Sequence, residues 1–407
     1  MLTKKKPVIT EEAVVSVQPV RGYMPPSIIS NKLHVRLVGL GILLNVWVLA
    51  LGHILNPLKA AKAVRDLRAL SVAYLGRNPE KLVKVDGRYH YVMGGPSWPS
   101  LSFNRYILSE LNRFQEFRAP KPSLRSVYFA ITKKCPLNCE HCFEWDNLNK
   151  KEALALADLK QILWKFQEQG VMQVHLSGGE PLVRFQDMLE LLHSAQKGTD
   201  FWVITSGYHL TLEKAQQLKD AGLVGIAISL DHHEPDKHDA FRGLEGSYDW
   251  VIKAARSARH AGLVLTLNLC ATKDYASDEN LFAYAKLAHE LGASFIQILE
   301  PRAVGHYAGK AVALEPSHIK RIEDFADMLN YDAAFKNWPI VTYHGTHQRN
   351  VGCFGAGNRF LYVDTDGDMH ACPFCQKKSG NALHDDLPQC IQEMRLKGCH
   401  AFDSAGF

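Results

Sequence analysis

The sequence predicts an α/β protein with a body of repeating parallel strand–helix units. An N-terminal apolar helical extension precedes that body, and a small C-terminal cysteine-rich hairpin domain follows it. Three observations carry this reading. From Ser126 onward, short apolar runs alternate with helical patterns through six units by about residue 300. Leu37 to Leu55 is almost wholly apolar, interrupted by Asn45 and His53. Near the end, Cys353, Cys372 and Cys375 bracket an Asp366-Gly367 turn signal. The expected units are 1–120 for the extension, 121–310 for the core, and 311–407 for a linker helix and the cysteine-rich domain.

In the extension, residues 37–55 would form a helix of about 28 Å, close to the roughly 30 Å of a bilayer core. Lys59, Lys62, Arg65 and Arg68 follow directly and would lie on the cytoplasmic side. Three placements fit: a membrane span, a helix lying in the interface with Trp47 among the headgroups, or a helix packed on a soluble body. Residues 59–76 read as a basic helix with Leu67, Leu70 and Leu75 on its apolar side. Residues 82–92 alternate around Asp86-Gly87 and read as a hairpin.

In the body, strands are expected at Val127–Ile131, Val171–Leu176, Phe201–Thr205, Val224–Leu230, Leu263–Leu269 and Ser294–Leu299. Leu159, Ile162, Leu163 and Phe166 mark the apolar face of the first intervening helix. Thr211 is a candidate N-cap, with Glu213 favourably placed in the first turn. Further helices are expected at Val251–Ala261 and Leu281–Leu291. In such architectures functional groups gather in the loops after the C-terminal strand ends. Cys135, Cys139, Cys142, Gly178-Gly179-Glu180-Pro181, Ser206, Asp231 and Glu300 all fall there.

Composition narrows the chemistry. The 407 residues have 46% apolar and 22% charged content, with a formal net charge of +5, so no strong bias towards a polyanion is present. No compact nucleic-acid-binding module is evident, and no nucleic-acid partner is expected. The nine cysteines are odd in number and fall in the later two-thirds of the chain, unlike a secreted disulfide scaffold. No cleavable signal peptide is read at the start. A reducing cytoplasm and metal ligation are expected, with contact to the cytoplasmic face of a membrane if residues 37–55 reach it.

Cys135-Pro-Leu-Asn-Cys139-Glu-His-Cys142 places three thiolate donors on one short loop. The spacing Cys-x3-Cys-x2-Cys, followed at the next strand end by Gly178-Gly179-Glu180-Pro181, resembles the radical S-adenosylmethionine superfamily over residues 124–300. The resemblance implies a partial (β/α)6 TIM-like barrel. It implies a [4Fe-4S] cluster on Cys135, Cys139 and Cys142 with one open iron, where S-adenosylmethionine would chelate. One electron would cleave the sulfonium, and the resulting 5′-deoxyadenosyl radical would abstract hydrogen from a carbon. A reductant protein such as ferredoxin or flavodoxin would supply that electron. By the same resemblance, Gly178, Gly179, Glu180 and Pro181 would receive the methionine amino group, Phe143 would cover the adenine, and Ser206 would approach the cofactor. Ser229 and Asp231 would contact its carboxylate or ribose, and Arg242 would pair with the carboxylate. Read from the residues alone, Ser206 could cap a turn, Arg242 could be a surface ion-pair partner, and Asp231 could begin a turn. His232, His233 and His238 read as solvent-facing loop histidines, and Cys270 as a core or near-site thiol.

Cys353-x13-Gly367-x4-Cys372-x2-Cys375 resembles the auxiliary-cluster extension called SPASM, or its shorter twitch form. A full SPASM region needs more cysteines than this tail carries, so one auxiliary [4Fe-4S] cluster is implied. Its ligands would be Cys353, Cys372, Cys375 and either Cys390 or Cys399, with Cys390 favoured as the nearer. A four-cysteine zinc site is the alternative.

The reaction class stays between oxidoreductase and transferase. A peptide or protein substrate is expected first, although no winged-helix peptide-recognition domain is evident. A lipid or lipid-linked substrate at the membrane is the alternative, and a non-catalytic iron–sulfur scaffold is a third reading. Tyr208, Glu300, Arg302 and His306 are the candidates for substrate contact.

Overall fold

The computed structural model describes residues 23–117 and 124–399, so the expected boundary at 120/121 lies outside the described residues. The extension contains β1 (Ser27–Ile29), α1 (Lys32–His53), α2 (Pro57–Leu75), β2 (Leu82–Val85), β3 (Arg88–His90) and α3 (Leu101–Phe114). Local chemistry sets the helix starts. The side chains of Asn31, Asn56 and Ser100 accept backbone N–H groups at the three N-termini, and Pro57 occupies the first turn of α2, where no N–H is needed. The expected hairpin forms with Asp86 and Gly87 at φ 48° and 74°, the left-handed pair that a two-residue turn requires. The apolar helix begins at Lys32, five residues before the expected start. The alternation signal did not reach α3 or β1.

The body runs β4 (Ser126–Ala130), α4 (Leu156–Glu168), β5 (Gln173–Ser177), α5 (Phe185–His193), β6 (Asp200–Thr205), α6 (Leu212–Asp220) and β7 (Leu223–Ser229). It continues with α7 (Pro235–Arg242), α8 (Ser247–His260), β8 (Val264–Cys270), α9 (Asp278–Glu290), β9 (Phe295–Leu299), α10 (Pro316–Tyr331), β10 (Ile340–Tyr343) and α11 (His344–Val351). The tail adds β11 (Phe360–Val363), β12 (Asp368–His370), β13 (Lys378–Asn381) and α12 (Leu387–Lys397). All six expected strands are present, and Thr211 caps α6 by accepting the Lys214 N–H at 3.2 Å.

One ten-stranded sheet holds the body and tail in the order β10-β9-β8-β7-β6-β5-β4-β11-β12-β13. Strands β4 to β10 are parallel and curl into a partial barrel; β10 is a parallel member beyond the six expected. β11 joins the open edge of β4 in parallel register, Phe360 opposite Ser126, and then turns back as the antiparallel β12. The cysteine-rich hairpin is therefore continuous with the barrel sheet.

Strand parity divides the core. Val127, Phe129, Val174, Leu176, Ile226, Ile228, Leu265 and Leu267 face the surrounding helices in the main hydrophobic cluster. The opposite parity faces the barrel interior. At the N-terminal strand ends Trp202, Val264, Phe295 and Ile340 pack against Val83, Val85 and Met93 of the extension. The extension thus supplies the barrel floor. A Cβ on Gly225 would stand 2.5 Å from the Trp202 ring, so this glycine leaves room for the indole. A separate core joins α1, α2 and α3 through Val46, Ala50, Ala63, Leu67, Phe103 and Ile107. Leu70 of α2 also packs on Val351 and Phe354, which couples the extension to the tail.

Buried charges reinforce that coupling. Glu110 on α3 receives Arg359 Nε at 3.0 Å and Arg359 Nη2 at 2.8 Å, and both side chains are about 1–2% exposed. Lys81 sits under the end of α10 and donates to the carbonyls of Leu329, Phe335 and Trp338 at 2.7–3.2 Å.

Candidate active site

The mouth of the barrel opens into a cavity of about 760 Å³, within the usual range for small-molecule sites. Cys135, Cys139 and Cys142 line it on the loop after β4. That loop is fixed on several sides. Asn149 donates to the Cys135 carbonyl and accepts its N–H at 3.0 and 3.1 Å. The N–H groups of Asn138 and Glu140 donate to the Arg242 and Phe241 carbonyls at the end of α7. His306 stacks on Trp145 at 3.8 Å, its Nδ1 lies 2.9 Å from the Cys139 carbonyl, and its N–H donates to the Cys142 carbonyl. Lys133 reaches Asp366 at 2.6 Å, and Tyr362 donates to Glu144, so the tail hairpin also grips the loop.

After β5, the Gly178-Gly179 backbone lies directly on this loop. A Cβ on Gly178 would stand 2.6 Å from the Thr132 carbonyl oxygen, and one on Gly179 would stand 2.4 Å from that of Lys134. Glu180 turns inward and is saturated by its own chain. It accepts from Leu182 N–H at 3.0 Å, Thr205 Oγ1 at 2.6 Å, and Ser206 N–H and Oγ at 2.8 and 2.6 Å. Burial raises its pKa against those four bonds. Pro181 is buried at the head of the following short helix and sets the turn without lining the cavity.

Arg242 lines the cavity with one guanidinium nitrogen 3.5 Å from Cys139 Sγ. Its other face forms an ion pair with Asp231, both groups 8% exposed or less. Burial pushes the Asp231 carboxyl up, but Arg242 and two nearby histidines outweigh this and hold it below its usual value. Asp231 also accepts the Cys270 N–H at 2.9 Å. Arg242 is therefore a buried cation beside the thiols, not a surface partner, and Asp231 positions it from behind. Ser206 and Ser229 line the cavity, together with Asn268, whose Oδ1 is buried without a hydrogen-bond partner.

Four tail thiols line the same cavity: Cys353, Cys372, Cys375 and Cys399. Cys353 lies within hydrogen-bonding reach of Cys399, and Cys372 feels the charges of Cys353, Cys399 and Cys375. Cys390 stands apart. It is on α12 and faces β13, where its Sγ would lie 2.5 Å from a Cβ on Gly380. Sequence proximity favoured Cys390, but the helix carries it away and the chain beyond the helix returns Cys399 instead. Phe143 bridges the two cysteine groups, its ring edge-on to Tyr362 at 5.8 Å and to Phe374 at 5.9 Å.

The remaining candidates divide. Glu300 and Arg302 line the cavity. Glu300 accepts from Tyr343 and Arg349, each at 2.7 Å, and so braces α11. His306 serves the cysteine loop as described. Tyr208 turns away from the cavity and packs on His209 and Trp250, because the turn after β6 carries it to the outer face. His238 is 1% exposed and accepts the Asp231 N–H, which corrects its expected solvent exposure; His232 and His233 are half-buried and stacked at 4.6 Å. Cys270 is buried, as a near-site thiol would be. The sequence reading missed Arg125, Tyr128, Asn268, Gln297, His344 and His347, all on the cavity wall. Inward parity was the available signal for Asn268 and Gln297, polar residues inside otherwise apolar strands.

The donor set fits an iron–sulfur group. Soft thiols, not carboxylates, converge on the cavity, and a cationic Arg242 stands beside them. Burial pushes the thiols of Cys135, Cys142 and Cys372 up to about 12, so binding of a metal must displace protons. The glycine backbone packed on the cysteine loop leaves the facing space to a ligand.

These features define a barrel whose mouth gathers clustered thiols, and the chain belongs to the radical S-adenosylmethionine superfamily, whose description, Radical SAM superfamily, matches residues 129–281. It is 32% identical over 261 residues to the PqqA peptide cyclase of Gluconobacter oxydans (strain 621H), covering 62% of this chain and 71% of that protein. It is 24% identical to the AdoMet-dependent heme synthase of Nitratidesulfovibrio vulgaris (strain Hildenborough), covering 66% and 78%. Among solved structures, SuiB of Streptococcus suis bound to the precursor peptide SuiA shares the fold, with a TM-score of 0.56, 16% identity and 70% of each chain covered. Family membership brings S-adenosylmethionine and an iron–sulfur cluster, and the chain is a radical enzyme.

Proposed function

We propose that this protein modifies a peptide by radical chemistry while resting on a membrane surface. The observation that carries the catalytic part is the single cavity shared by two thiol groups, three on the loop after β4 and four from the tail. Cys135, Cys139 and Cys142 would hold one iron–sulfur cluster, and Cys353, Cys372, Cys375 and Cys399 would hold a second. With S-adenosylmethionine and a reduced cluster bound, the site supplies a 5′-deoxyadenosyl radical able to take hydrogen from carbon. The chain's own groups orient the reactants. Gly178 and Gly179 hold the strand end tight against the cysteine loop, Glu180 and Ser206 border the cavity as a hydrogen-bonded pair, Ser229 offers a polar contact, Phe143 would cover the cofactor, and Arg242 keeps a fixed positive charge beside Cys139. An electron donor of ferredoxin or flavodoxin type reduces the site. The kinship with PqqA peptide cyclases supports the peptide class.

The membrane part rests on α1, the one described helix long and apolar enough to cross a bilayer. Its inner face packs on α2 and α3 through Val46 and Ala50, and Val38 is buried as well. Its outer face carries Leu33, Leu37, Leu40, Leu44, Val48 and Leu51, all at least 52% exposed and spaced as one helical ridge. Exposed Lys32, Arg36, Lys59 and Lys62 flank the ridge. Covered by protein on one side and apolar on the other, the helix would bury this ridge in the membrane.

The protein reconstituted anaerobically with iron and sulfide and reduced with dithionite should form 5′-deoxyadenosine. Cys139→Ala should abolish that product while the tail still binds iron. Small peptides encoded beside this gene, prepared deuterated, should pass deuterium into 5′-deoxyadenosine; transfer from deuterated membrane lipid instead would overturn the peptide class. Full-length protein should sediment with anionic vesicles, and Leu40→Glu with Leu44→Glu should prevent it. Unchanged sedimentation of that variant would remove the membrane reading.

A further inference from the structure

A half-buried excess of positive charge borders the same cavity, away from the cysteine loop. Arg125, just before β4, lines the cavity with Tyr74, Tyr128 and His344. Its backbone is pinned at both groups: the N–H donates to the Arg359 carbonyl at 2.7 Å, and its carbonyl accepts the Gln173 N–H at 2.9 Å. The five residues of β4 separate it from the loop that carries Cys135, a rise of about 17 Å at the strand repeat. Arg125 therefore begins at the opposite end of the strand from the proposed cofactor contacts.

Among the described residues no carboxylate is dedicated to this charge. The carboxylate that acts on Arg125 is Glu110. Glu110 is already held by Arg359, at 2.8 and 3.0 Å, and by Arg113 at 3.3 Å. Glu110 thus already serves two other guanidinium groups. Among the described residues none forms an ion pair with Arg125, and its Nε is buried without a hydrogen-bond partner. Its other close neighbours do not supply negative charge. They are the phenols of Tyr74, Tyr106 and Tyr128, and the imidazoles of His344 and His347, which burial keeps neutral. An uncompensated cation away from bulk water is costly. A planar guanidinium pairs best with a carboxylate through two parallel hydrogen bonds. The cavity gives such a group room to arrive.

We propose that Arg125 anchors the substrate by binding a carboxylate, contributed by an acidic side chain or by the C-terminus of the peptide. The source of that carboxylate rests on the peptide reading above; the anion site itself does not. Arg125 is a binding residue at a distance from the reacting carbon, and it fixes which part of the chain faces the radical.

Three small probes separate the sources. N-acetylglutamate N-methylamide carries only a side-chain carboxylate, N-acetylglutamine carries only a terminal one, and N-acetylglutamine N-methylamide is neutral. Each is titrated calorimetrically into the reconstituted holoenzyme. At least one acid should bind about tenfold or more tightly than the neutral amide, a difference of about 1.4 kcal/mol. Arg125→Met should erase that preference, and Arg125→Lys should retain part of it. Equal binding of acid and amide, no binding by any probe, or an unchanged preference in Arg125→Met overturns the proposal. If Arg125→Met does not fold, the ranking of the three probes on the parent protein decides. Acid-selective binding without processing of any peptide would leave the anchor standing and remove the peptide function. Peptide processing with unchanged KM in Arg125→Met would remove the anchor alone.

Discussion

Replacing Glu110 with Gln tests the electrostatic joint between the extension and the tail. The Glu110 side chain is 2% exposed and Arg359 1%, and they meet through contacts of 2.8, 3.0 and 3.1 Å. Arg113 adds a contact at 3.3 Å. Glutamine keeps the shape and one acceptor but removes the carboxylate charge that these guanidinium groups share. Breaking a buried pair from one side costs about 3–5 kcal/mol, because the partner is left charged and unpaired. The retained amide oxygen places the expected loss near the lower end, about 3 kcal/mol. Urea denaturation followed by far-UV circular dichroism and by tryptophan fluorescence would read it, with both probes needed because the chain has more than one core. Adding Arg359→Met should recover part of the loss by removing a stranded cation. A loss under about 1 kcal/mol, the size of an exposed salt bridge, would refute the assignment of Glu110 as the buried counter-charge.

Acid sensitivity should come from His90 and His175. Both are 1% exposed or less with neither ring nitrogen hydrogen-bonded, and burial lowers each pKa to about 3. The unfolded chain, with histidines near 6.5, binds the extra protons between pH 3 and 6.5, so stability is full above pH 6.5 and falls as pH drops through that window. From pH 7.5 to 5.5 the two together should cost about 3 kcal/mol, and the double variant His90→Leu, His175→Leu should lower the slope in urea titrations by that amount, with the remainder carried by other buried histidines such as His344 and His347. Gly225→Ala should destabilise by about 1–3 kcal/mol through overpacking, since its Cβ would meet the Trp202 ring at 2.5 Å; an unchanged urea midpoint would contradict that packing. Cys399→Ser should lower the iron content of the reconstituted protein while Cys390→Ser leaves it at the parent value; the reverse result would restore Cys390 as the ligand.

The barrel was legible because its signals are local. Parallel strands buried on both faces read as short apolar runs, and Asp86-Gly87 and Asp366-Gly367 mark the antiparallel hairpins of the extension and the tail, where Gly87 and Gly367 take a positive φ. The trio Cys135, Cys139 and Cys142 was legible because its spacing lies within one loop. What the sequence hid depends on long-range geometry. Arg125 looks like an ordinary residue before a strand, and only the folded chain sets it among Arg113, Arg359 and a single carboxylate. Cys390 and Cys399 look alike on paper, and the direction of α12 separates them. Tyr208 follows the Ser206-Gly207 turn, which points it outward. The apolar segment at 37–55 allowed three placements because hydropathy does not report that one side of a helix is covered by its neighbours.

The floor of the barrel is made from residues that come before its walls. A ribosome delivers Val83, Val85 and Met93 ahead of β4 to β10, and β11 after them. The walls must assemble on a plug already made, and the seam beside β4 stays unfilled until β11 emerges. The first cysteine loop is thus translated long before the hairpin that clasps it through Asp366 and Tyr362. Loading of iron during synthesis and loading after release would meet two different degrees of enclosure at the same three thiols.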